Sequence, residues 1–341
     1  VRQERAARIK DVARIAGVST ATVSRTLSNP DIVSEETRRS VLAAVKATRY
    51  SANVAARNLR RQQAGGVLAL APNLANPFFS EILAGMSEAL AERRLNLIVA
   101  DTQFGGSSQL VQYADRSRAD GLLILDSRLD PALFAGAQCP PIVQVCEEIE
   151  GLQSPRVVAD NAGGAAAAVA HLVELGHTRI ARLAGPPDNS LTRWRDAGFR
   201  RGMDAAGLSG RGDWHLTGDF SMESGRTAAA RLLALPDRPS AIVCDNDEMA
   251  CGLMSALIRS GIDIPGDIAV AGFDDIELSR HLTPTLTTVH QPRRRIGREA
   301  VRQLLLAIDG ADVAERTVIP CTLVPRQSTL GREALSDQAA S

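Results

Sequence analysis

The sequence predicts two parts: a small all-α headpiece, then an α/β core of two lobes, each a doubly wound parallel sheet. Three observations carry that prediction. First, charge is unevenly spread. The 341 residues hold 39 Lys and Arg against 39 Asp and Glu, a formal net charge of zero. Residues 1–61 contain 13 basic and 5 acidic side chains, a net of +8, which leaves −8 on the remainder. A short basic part ahead of a long, mildly acidic one is the electrostatic outline of a nucleic-acid-binding segment on a larger body. Second, 45% of residues are hydrophobic, yet aromatics are only 7 Phe, 2 Tyr and 2 Trp. A core of Ala, Leu, Val and Ile suits helices layered on buried parallel strands. Third, from Gly66 onward short β-rich runs alternate with helical ones, the signature of right-handed βαβ units.

In the headpiece, Ile9, Val12 and Ala16 keep helical spacing until Gly17-Val18 interrupts. Ser19 is placed to N-cap a second helix, whose apolar stripe is Val23 and Leu27. Asn29-Pro30-Asp31 ends it. Ser34, followed by Glu35 and Glu36, starts a third helix: a capping hydroxyl, then acids where the helix dipole favours them. Val41, Ala44 and Val45 give that helix its core face. Helix, Gly-containing turn, helix is the helix-turn-helix layout, whose second helix enters the DNA major groove. There Thr20, Ala21, Thr22, Ser24 and Arg25 form a polar face of small side chains, and Arg25 can present a bidentate fork to guanine. The alternative is an ordinary helical domain with a solvated basic face.

After Tyr50, residues 53–61 form a short, basic, potentially helical stretch with Leu59 projecting. An exposed Leu among arginines suits a wedge that unstacks one base step and bends the duplex. The alternative is a Leu packed on its own core. Residues 62–66 read as a linker. The expected organisation is a DNA-binding headpiece over 1–51, hinge helix and linker over 52–65, a core over 66–330 and a polar tail over 331–341.

In the core, strands are expected at 67–71, 95–100, 122–125, 142–145, 180–184, 241–244 and 268–272. Helices are expected at 78–93, 108–116, 164–175, 193–206, 222–235 and 247–260. The series is long for one sheet and suits two similar lobes, although no internal repeat is strong enough to prove duplication. Ligands of open α/β sheets sit beyond the carboxyl ends of strands. Those ends carry Asn73 and Asn76, Asp101, Asp126-Ser127-Arg128, Glu147, Asp245-Asn246-Asp247 and Asp274-Asp275, which together imply a polar cleft lined from both lobes.

Several classes are disfavoured. No apolar run approaches the roughly 20 residues that span a bilayer, and Val1-Arg2-Gln3-Glu4-Arg5 lacks the apolar stretch of a secretory signal. Cysteines 139, 146, 244, 251 and 321 are odd in number, with no Cys-x-x-Cys to hold zinc or form a redox pair. The expectation is a soluble cytoplasmic protein with no membrane partner, metal or cofactor. No nucleophile elbow, zinc-protease motif, phosphate loop or dinucleotide fingerprint marks an enzyme. The five histidines are scattered; His177, after Gly176 at a helix C-terminus, is expected to be structural and partly positive.

The residues from Ile9 to Leu59 resemble, nearly end to end, the headpiece of the lactose-repressor family of bacterial transcription regulators. The resemblance rests on Ile9-Lys10-Asp11-Val12-Ala13, Ala16-Gly17-Val18-Ser19, Thr22-Val23-Ser24-Arg25, Asn29-Pro30, Val33-Ser34, Thr37-Arg38 and Tyr50, Asn53, Ala56-Arg57 and Leu59. It implies a hinge helix that orders on operator DNA and a minor-groove wedge at Leu59. It implies DNA contacts from Ser19, Thr20, Ala21, Thr22, Ser24, Arg25, Ser28, Ser34, Thr37, Tyr50, Asn53, Ala56, Arg57 and Leu59.

The likeness continues to about residue 330 through Asn76-Pro77-Phe78-Phe79, Asp120-Gly121, Gly176-His177-Thr178-Arg179-Ile180, Asn246-Asp247-Glu248-Met249-Ala250, Gly272-Phe273-Asp274-Asp275 and Leu286–Pro292. It implies the family's two-lobed, periplasmic-binding-protein-like sensor. Residues 78–82, 127–129, 218–220 and 296–300 look like those of a nucleoside-responsive member. By this resemblance Phe79 and Phe220 wall the effector cleft. Ser127, Arg128 and Glu147 line one lobe, with Arg195, Asn246, Asp274 and Gln291 opposite. Carboxylates that accept hydroxyl hydrogens, a donating arginine and a ring over an apolar face suit a sugar or nucleoside. For each polar residue the alternative is a helix cap or surface charge, and Asp247 in particular can cap its own helix.

The resemblance thus implies a repressor of a catabolic or uptake operon. It would bind a pseudo-palindromic operator as a homodimer under control of a small polar effector. The tail is too short and polar for a heptad zipper. Two competing readings are a sugar-binding transport receptor without DNA function and a sugar-metabolising enzyme.

Overall fold

The computed structural model describes residues 7–50, 64–104, 115–136 and 138–331. The chain divides into two compact units, Val1–Gln63 and Ala64–Ser341. In the first, α1 (Ile9–Ala16), α2 (Thr20–Ser28) and α3 (Glu35–Thr48) enclose Val12, Ala13, Val23, Val41 and Ala44. The chain leaves α1 through Gly17 at φ 69, the left-handed region that favours glycine. Ser19 caps α2 by accepting from the Thr22 amide at 3.1 Å, and Ser34 caps α3 by accepting from the Thr37 amide at 3.3 Å. Both caps stand where the sequence places them, because a cap depends only on residues three apart.

The second unit holds two six-stranded sheets. The first has the order β11-β5-β4-β3-β1-β2. Its strands are β1 (Gly66–Ala71), β2 (Asn96–Asp101), β3 (Gly121–Ile124), β4 (Ile142–Val145), β5 (Arg156–Ala159) and β11 (Arg316–Ile319), all parallel. The second has the order β12-β10-β9-β8-β6-β7. It comprises β6 (Ile180–Ala184), β7 (His215–Thr217), β8 (Ala241–Cys244), β9 (Ala269–Asp274), β10 (Thr287–His290) and β12 (Thr322–Val324). Here the expectation of a wholly parallel sheet needs one correction: β12 runs antiparallel to β10. Strand β1 is buried along its whole length, as a strand covered on both faces must be.

The helices of this unit are α4 (Phe78–Glu92), α5 (Asn161–Glu174), α6 (Ser190–Ala205), α7 (Met222–Leu233), α8 (Asp247–Arg259), α9 (Arg293–Ile308) and α10 (Gln327–Leu330). The expected helix over 108–116 falls mainly outside the described residues; 115–118 form a turn. The alternation read from sequence stopped at β9. Beyond it α9 packs on α4, and β11 joins the first sheet while β12 joins the second. The chain therefore crosses between lobes three times: after β5, between β10 and α9, and between β11 and β12. Strands β7 and β12, of three residues each, are too short to show alternation, and β11 begins Arg316-Thr317 where a continuous apolar run would mark a buried strand.

Helices α4 and α9 meet backbone to backbone. A Cβ on Gly85 would lie 2.2 Å from the Arg294 carbonyl oxygen, and one on Gly297 would lie 2.1 Å from that of Ile82. That approach buries Ile82, Met86, Ile296, Ala300 and Leu304 in one apolar cluster. Among the described residues no helix is long and apolar enough to cross a membrane.

Candidate DNA-binding and effector sites

In the headpiece, α2 is two-faced. Val23 and Thr26 are buried and Leu27 packs on the core, while Thr20, Ala21, Ser24 and Arg25 are exposed. These four fall at i, i+1, i+4 and i+5, one helical face of small polar side chains beside a guanidinium. Ser19 is exposed, and its hydroxyl pairs with that of Thr22 at 2.9 Å. Ser34 and Thr37 pair likewise at 2.9 Å, so both are engaged in capping α3. Tyr50 packs against the headpiece core. Ser28 closes α2. The expected hinge contacts Asn53, Ala56, Arg57 and Leu59 lie outside the described residues.

In the core, six of the nine expected effector residues meet at one cavity of about 50 Å³: Phe79, Glu147, Arg195, Phe220, Asn246 and Asp274. Asn76, Phe78 and Leu191 complete its lining. Phe79 comes from the first turn of α4, where its ring meets that of Phe78 edge-on at 5.2 Å. Arg195 projects from α6 and is buried. Its Nε donates to Asn161 at 2.9 Å, its Nη1 to the Asp245 carbonyl, and its Nη2 reaches Asp274 Oδ1 at 3.5 Å. The guanidinium also lies 3.9 Å from the centre of the Phe273 ring, so its position is set before any ligand arrives.

The backbone at this site is unusual. Cys146, Phe220 and Asp274, all non-glycine, sit at φ 67, 70 and 117. Such conformations cost about 1–3 kcal/mol each and persist where the surroundings enforce them, as ligand sites do. Cys146 aims the next residue, Glu147; the other two aim their own side chains at the cavity.

The carboxylates are pre-set for accepting hydrogen bonds. Glu147 is buried, and that burial raises its pKa against the opposing pull of Ser127 and Asn189. One oxygen accepts from the Ser127 hydroxyl at 2.5 Å, the Ser127 amide at 3.1 Å and Asn189 Nδ2 at 3.2 Å. Burial likewise pushes Asp274 up to about 6, with Arg195, Arg293 and Gln291 pulling the other way. Its Oδ1 takes Gln291 Nε2 at 2.7 Å. Its Oδ2 accepts from no side chain or amide among the described residues, which leaves an acceptor for a ligand hydroxyl. Glu248 is raised to about 7 by burial and by the charge of Asp274.

Three expected residues stand behind the cavity and do not line it. Ser127 holds Glu147. Arg128 turns back on Asp126, with Nε 3.0 Å from Oδ1. Gln291 holds Asp274. Two further expectations are corrected. Asp247 does not cap α8: Asn246 does, accepting from the Met249 amide at 3.0 Å, while its Nδ2 donates to the Phe220 carbonyl at 2.9 Å. The wholly buried Asp247 instead accepts from the Ile276 amide and the Thr288 hydroxyl, tying α8 to the loop after β9. His177 is structural, as expected, but its surroundings work against the positive imidazole that a helix C-terminus favours. Burial lowers its pKa, and its Nδ1 pairs with the Ser240 hydroxyl at 3.0 Å.

Sequence reasoning missed Asn161, Asn189 and Leu191. Asn189 was legible in principle, because it caps α6 by accepting from the Leu191 amide at 2.8 Å. Its second task, reaching across to Glu147, has no local signal. With Ser190, whose hydroxyl accepts from the Glu148 amide at 3.3 Å, it stitches the lobes at one edge of the cleft. Among the described residues no group of His, Cys, Asp and Glu could hold a metal ion.

Known proteins share this architecture. Residues 8–53 match the bacterial regulatory proteins of the lacI family, and residues 169–329 match the periplasmic binding protein-like domain. The HTH-type transcriptional repressor CytR of Escherichia coli (strain K12) is 37% identical over 333 residues, covering 96% of this chain and 98% of that protein. The chain belongs to the LacI family. The family's PurR repressor from Photobacterium profundum is 36% identical over 88% of this chain and 91% of that protein. Among solved structures, the lac repressor dimer bound to operator and the anti-inducer ONPF matches with a TM-score of 0.86. That match has 30% identity over 96% of this chain and all of the other. The regulator CelR in complex with cellobiose matches at 0.73 with 32% identity, covering 94% and 99%. As a LacI-family member, the chain is a DNA-binding transcriptional regulator with a small-molecule effector, and the enzyme and transport-receptor readings give way.

Proposed function

We propose that this LacI-family regulator is a cytoplasmic homodimer that represses a catabolic or uptake operon under control of a nucleoside or sugar bound between its lobes. The observation that carries the effector reading is the split lining of the cavity. Phe78, Phe79, Phe220 and Leu191 offer apolar faces, while Glu147, Asp274, Asn246 and Arg195 offer acceptors and donors. A ligand with a flat apolar face and several hydroxyls satisfies both halves, and a nucleoside has both in one molecule. At about 50 Å³ the cavity is smaller than the roughly 300–1,000 Å³ of ordinary ligand sites. Admission of such a ligand therefore requires the lobes to part.

On DNA, the exposed face of α2 reads base edges, with Arg25 as the bidentate donor. Ser19, Ser34, Thr37 and Tyr50 stand near the phosphates, and Leu59 is the minor-groove wedge. Two subunits present two such helices to the halves of a pseudo-palindrome. Exposed Ile98 on β2, Met222 on α7, Ile258 on α8 and Leu278 are apolar surface that a second subunit would cover. An effector that binds one lobe arrangement better than the other shifts the population that grips DNA, at about 1.4 kcal/mol per decade of preference.

The test is isothermal calorimetry of the full chain against cytidine, adenosine, uridine, ribose, glucose and cellobiose, paired with a gel shift on its own upstream region. Saturable binding of a nucleoside or sugar that alters a sequence-selective shift is expected. A sequence-selective shift that none of these compounds alters, with none of them bound, would overturn the effector reading.

A further inference from the structure

A second cavity, of about 740 Å³, is distinct from the effector cleft. Its wall includes Asp275 and Gln291, the chain neighbour and the hydrogen-bond partner of Asp274. One side comes from Pro77, Ser80 and the start of α9, the other from Arg280 and His281 of the second lobe. The volume lies within the range of small-molecule sites.

Its charge is concentrated and only partly compensated. Arg280, Arg293, Arg294, Arg295 and Arg298 line it against three carboxylates. Asp275 engages Arg280 at 2.8 Å and, through its carbonyl, Arg293 at 2.9 Å; Glu81 engages Arg294 at 2.6 Å. Among the described residues Arg298 reaches only Glu88, at 3.9 Å. Arg295 makes no hydrogen bond or ion pair among the described residues, although its charge acts on Glu299 one turn along α9, and His281 has no side-chain partner there. Arg295 and Arg298 are exposed and sit three residues apart, so both guanidiniums share one face of α9. The N-cap of that 16-residue helix is Pro292, which offers no side-chain acceptor; the Arg293 amide donates to the Gln291 carbonyl at 2.8 Å, so the next amides, of Arg294 and Arg295, are the ones presented. The positive helix end therefore adds to the arginine field inside a concave wall.

We propose that this basic cavity is a second ligand site, taking a small phosphorylated anion through Arg295 and Arg298, with Arg280 and His281 facing them from the other lobe. Phosphate oxygens match arginine forks bidentately and also accept from the amides of an uncapped helix start, which a single carboxylate fills less completely. An anion held there touches both lobes. Gln291 belongs to this wall and to Asp274 together, so occupancy favours the arrangement in which Asp274 is held ready. Linkage then requires that effector and anion change each other's affinity by the same factor.

The experiment uses the full chain without DNA and inorganic pyrophosphate as the probe, titrated calorimetrically at constant ionic strength with chloride as the balancing ion. Wild type is expected to bind one pyrophosphate per subunit saturably at this cavity. The exposed-surface double variant Arg295→Ala/Arg298→Ala is expected to bind at least about tenfold more weakly with an unchanged melting temperature. The Arg295→Lys/Arg298→Lys variant should lose less, keeping charge without the forks. Absence of saturable binding to wild type overturns the proposal. Equal affinity in wild type and the Ala variant also overturns it, because the anion would then sit elsewhere, as on the basic headpiece.

Discussion

Replacing Asp274 with Asn removes one charge and almost no volume from the proposed effector cleft. Oδ1 of Asp274 is already taken by Gln291, at 2.7 Å, while Oδ2 is open toward the cavity. A hydrogen bond from a ligand hydroxyl to a buried carboxylate contributes about 1.5–3 kcal/mol, so Asp274→Asn should weaken effector binding by roughly 10- to 150-fold. Arg195 keeps Asn161, the Asp245 carbonyl and the Phe273 face, and so the site should not collapse.

Stability should move the other way. Burial holds the Asp274 carboxyl at about 6 against an ordinary 3.8. At about 1.4 kcal/mol per pH unit, that charge costs the folded state about 3 kcal/mol at pH 7. Between about pH 6 and 4 the folded state binds the proton and the unfolded state does not, so this penalty is relieved as pH falls. The variant should therefore melt no lower than wild type at pH 7, and its advantage should shrink toward pH 4. Effector affinity of wild type should fall as pH drops below about 6, where the Asp274 carboxylate takes up its proton, and should do so more steeply than that of the variant, which lacks this group. Calorimetry with a binding nucleoside or sugar at pH 5, 6, 7 and 8 reads both quantities. Unchanged effector affinity at pH 7, or identical pH slopes in the two proteins, would refute the assignment of Oδ2 as the ligand acceptor.

Two more substitutions test the other ends of the molecule. Arg25→Ala should relax base preference at one operator position, costing about 1–3 kcal/mol there in a gel shift across operator variants; an equal loss on every sequence would make Arg25 a phosphate contact. Gly297→Ala would set a Cβ 2.1 Å from the Ile82 carbonyl oxygen. It should force α9 off α4 at about 1–3 kcal/mol, read as a lower melting temperature; an unchanged melt would mean that the two helices do not touch there.

How far the sequence could be read depended on how local each feature is. The caps at Ser19 and Ser34 and the strands 180–184 and 241–244 were legible to the residue. A cap is a bond between residues three apart, and a buried strand is a mainly apolar run, broken in 180–184 only by Arg182. Helix α6 was expected three residues late because its cap, Asn189, follows Gly185-Pro186-Pro187-Asp188, which reads as a turn without a clear last residue. Helix α9 is hard to read from sequence although Ile296, Ala300 and Leu304 keep helical spacing, since its first turn is a run of arginines that looks like solvated surface.

The site divides along the same line. Residue chemistry at strand ends pointed to Glu147, Asn246 and Asp274, and the family likeness added Phe79, Phe220 and Arg195; these six do share one cavity. What sequence could not convey is who holds whom. Ser127 and Gln291 brace Glu147 and Asp274, and Asp247, placed in sequence where a helix cap could sit, locks a loop.

By itself, then, the sequence determined a basic helical reader on an acidic α/β body, because charge segregation, capping and periodicity are properties of neighbours along the chain. Tertiary structure alone decided that the chain crosses between lobes three times, that Asn189 reaches Glu147 over 42 positions and that Gln291 reaches Asp274 over 17. Those pairings depend on sheet order and helix approach. A buried carboxylate takes whichever donor the fold brings within hydrogen-bond distance, and nothing in its own neighbourhood along the chain specifies which one that is.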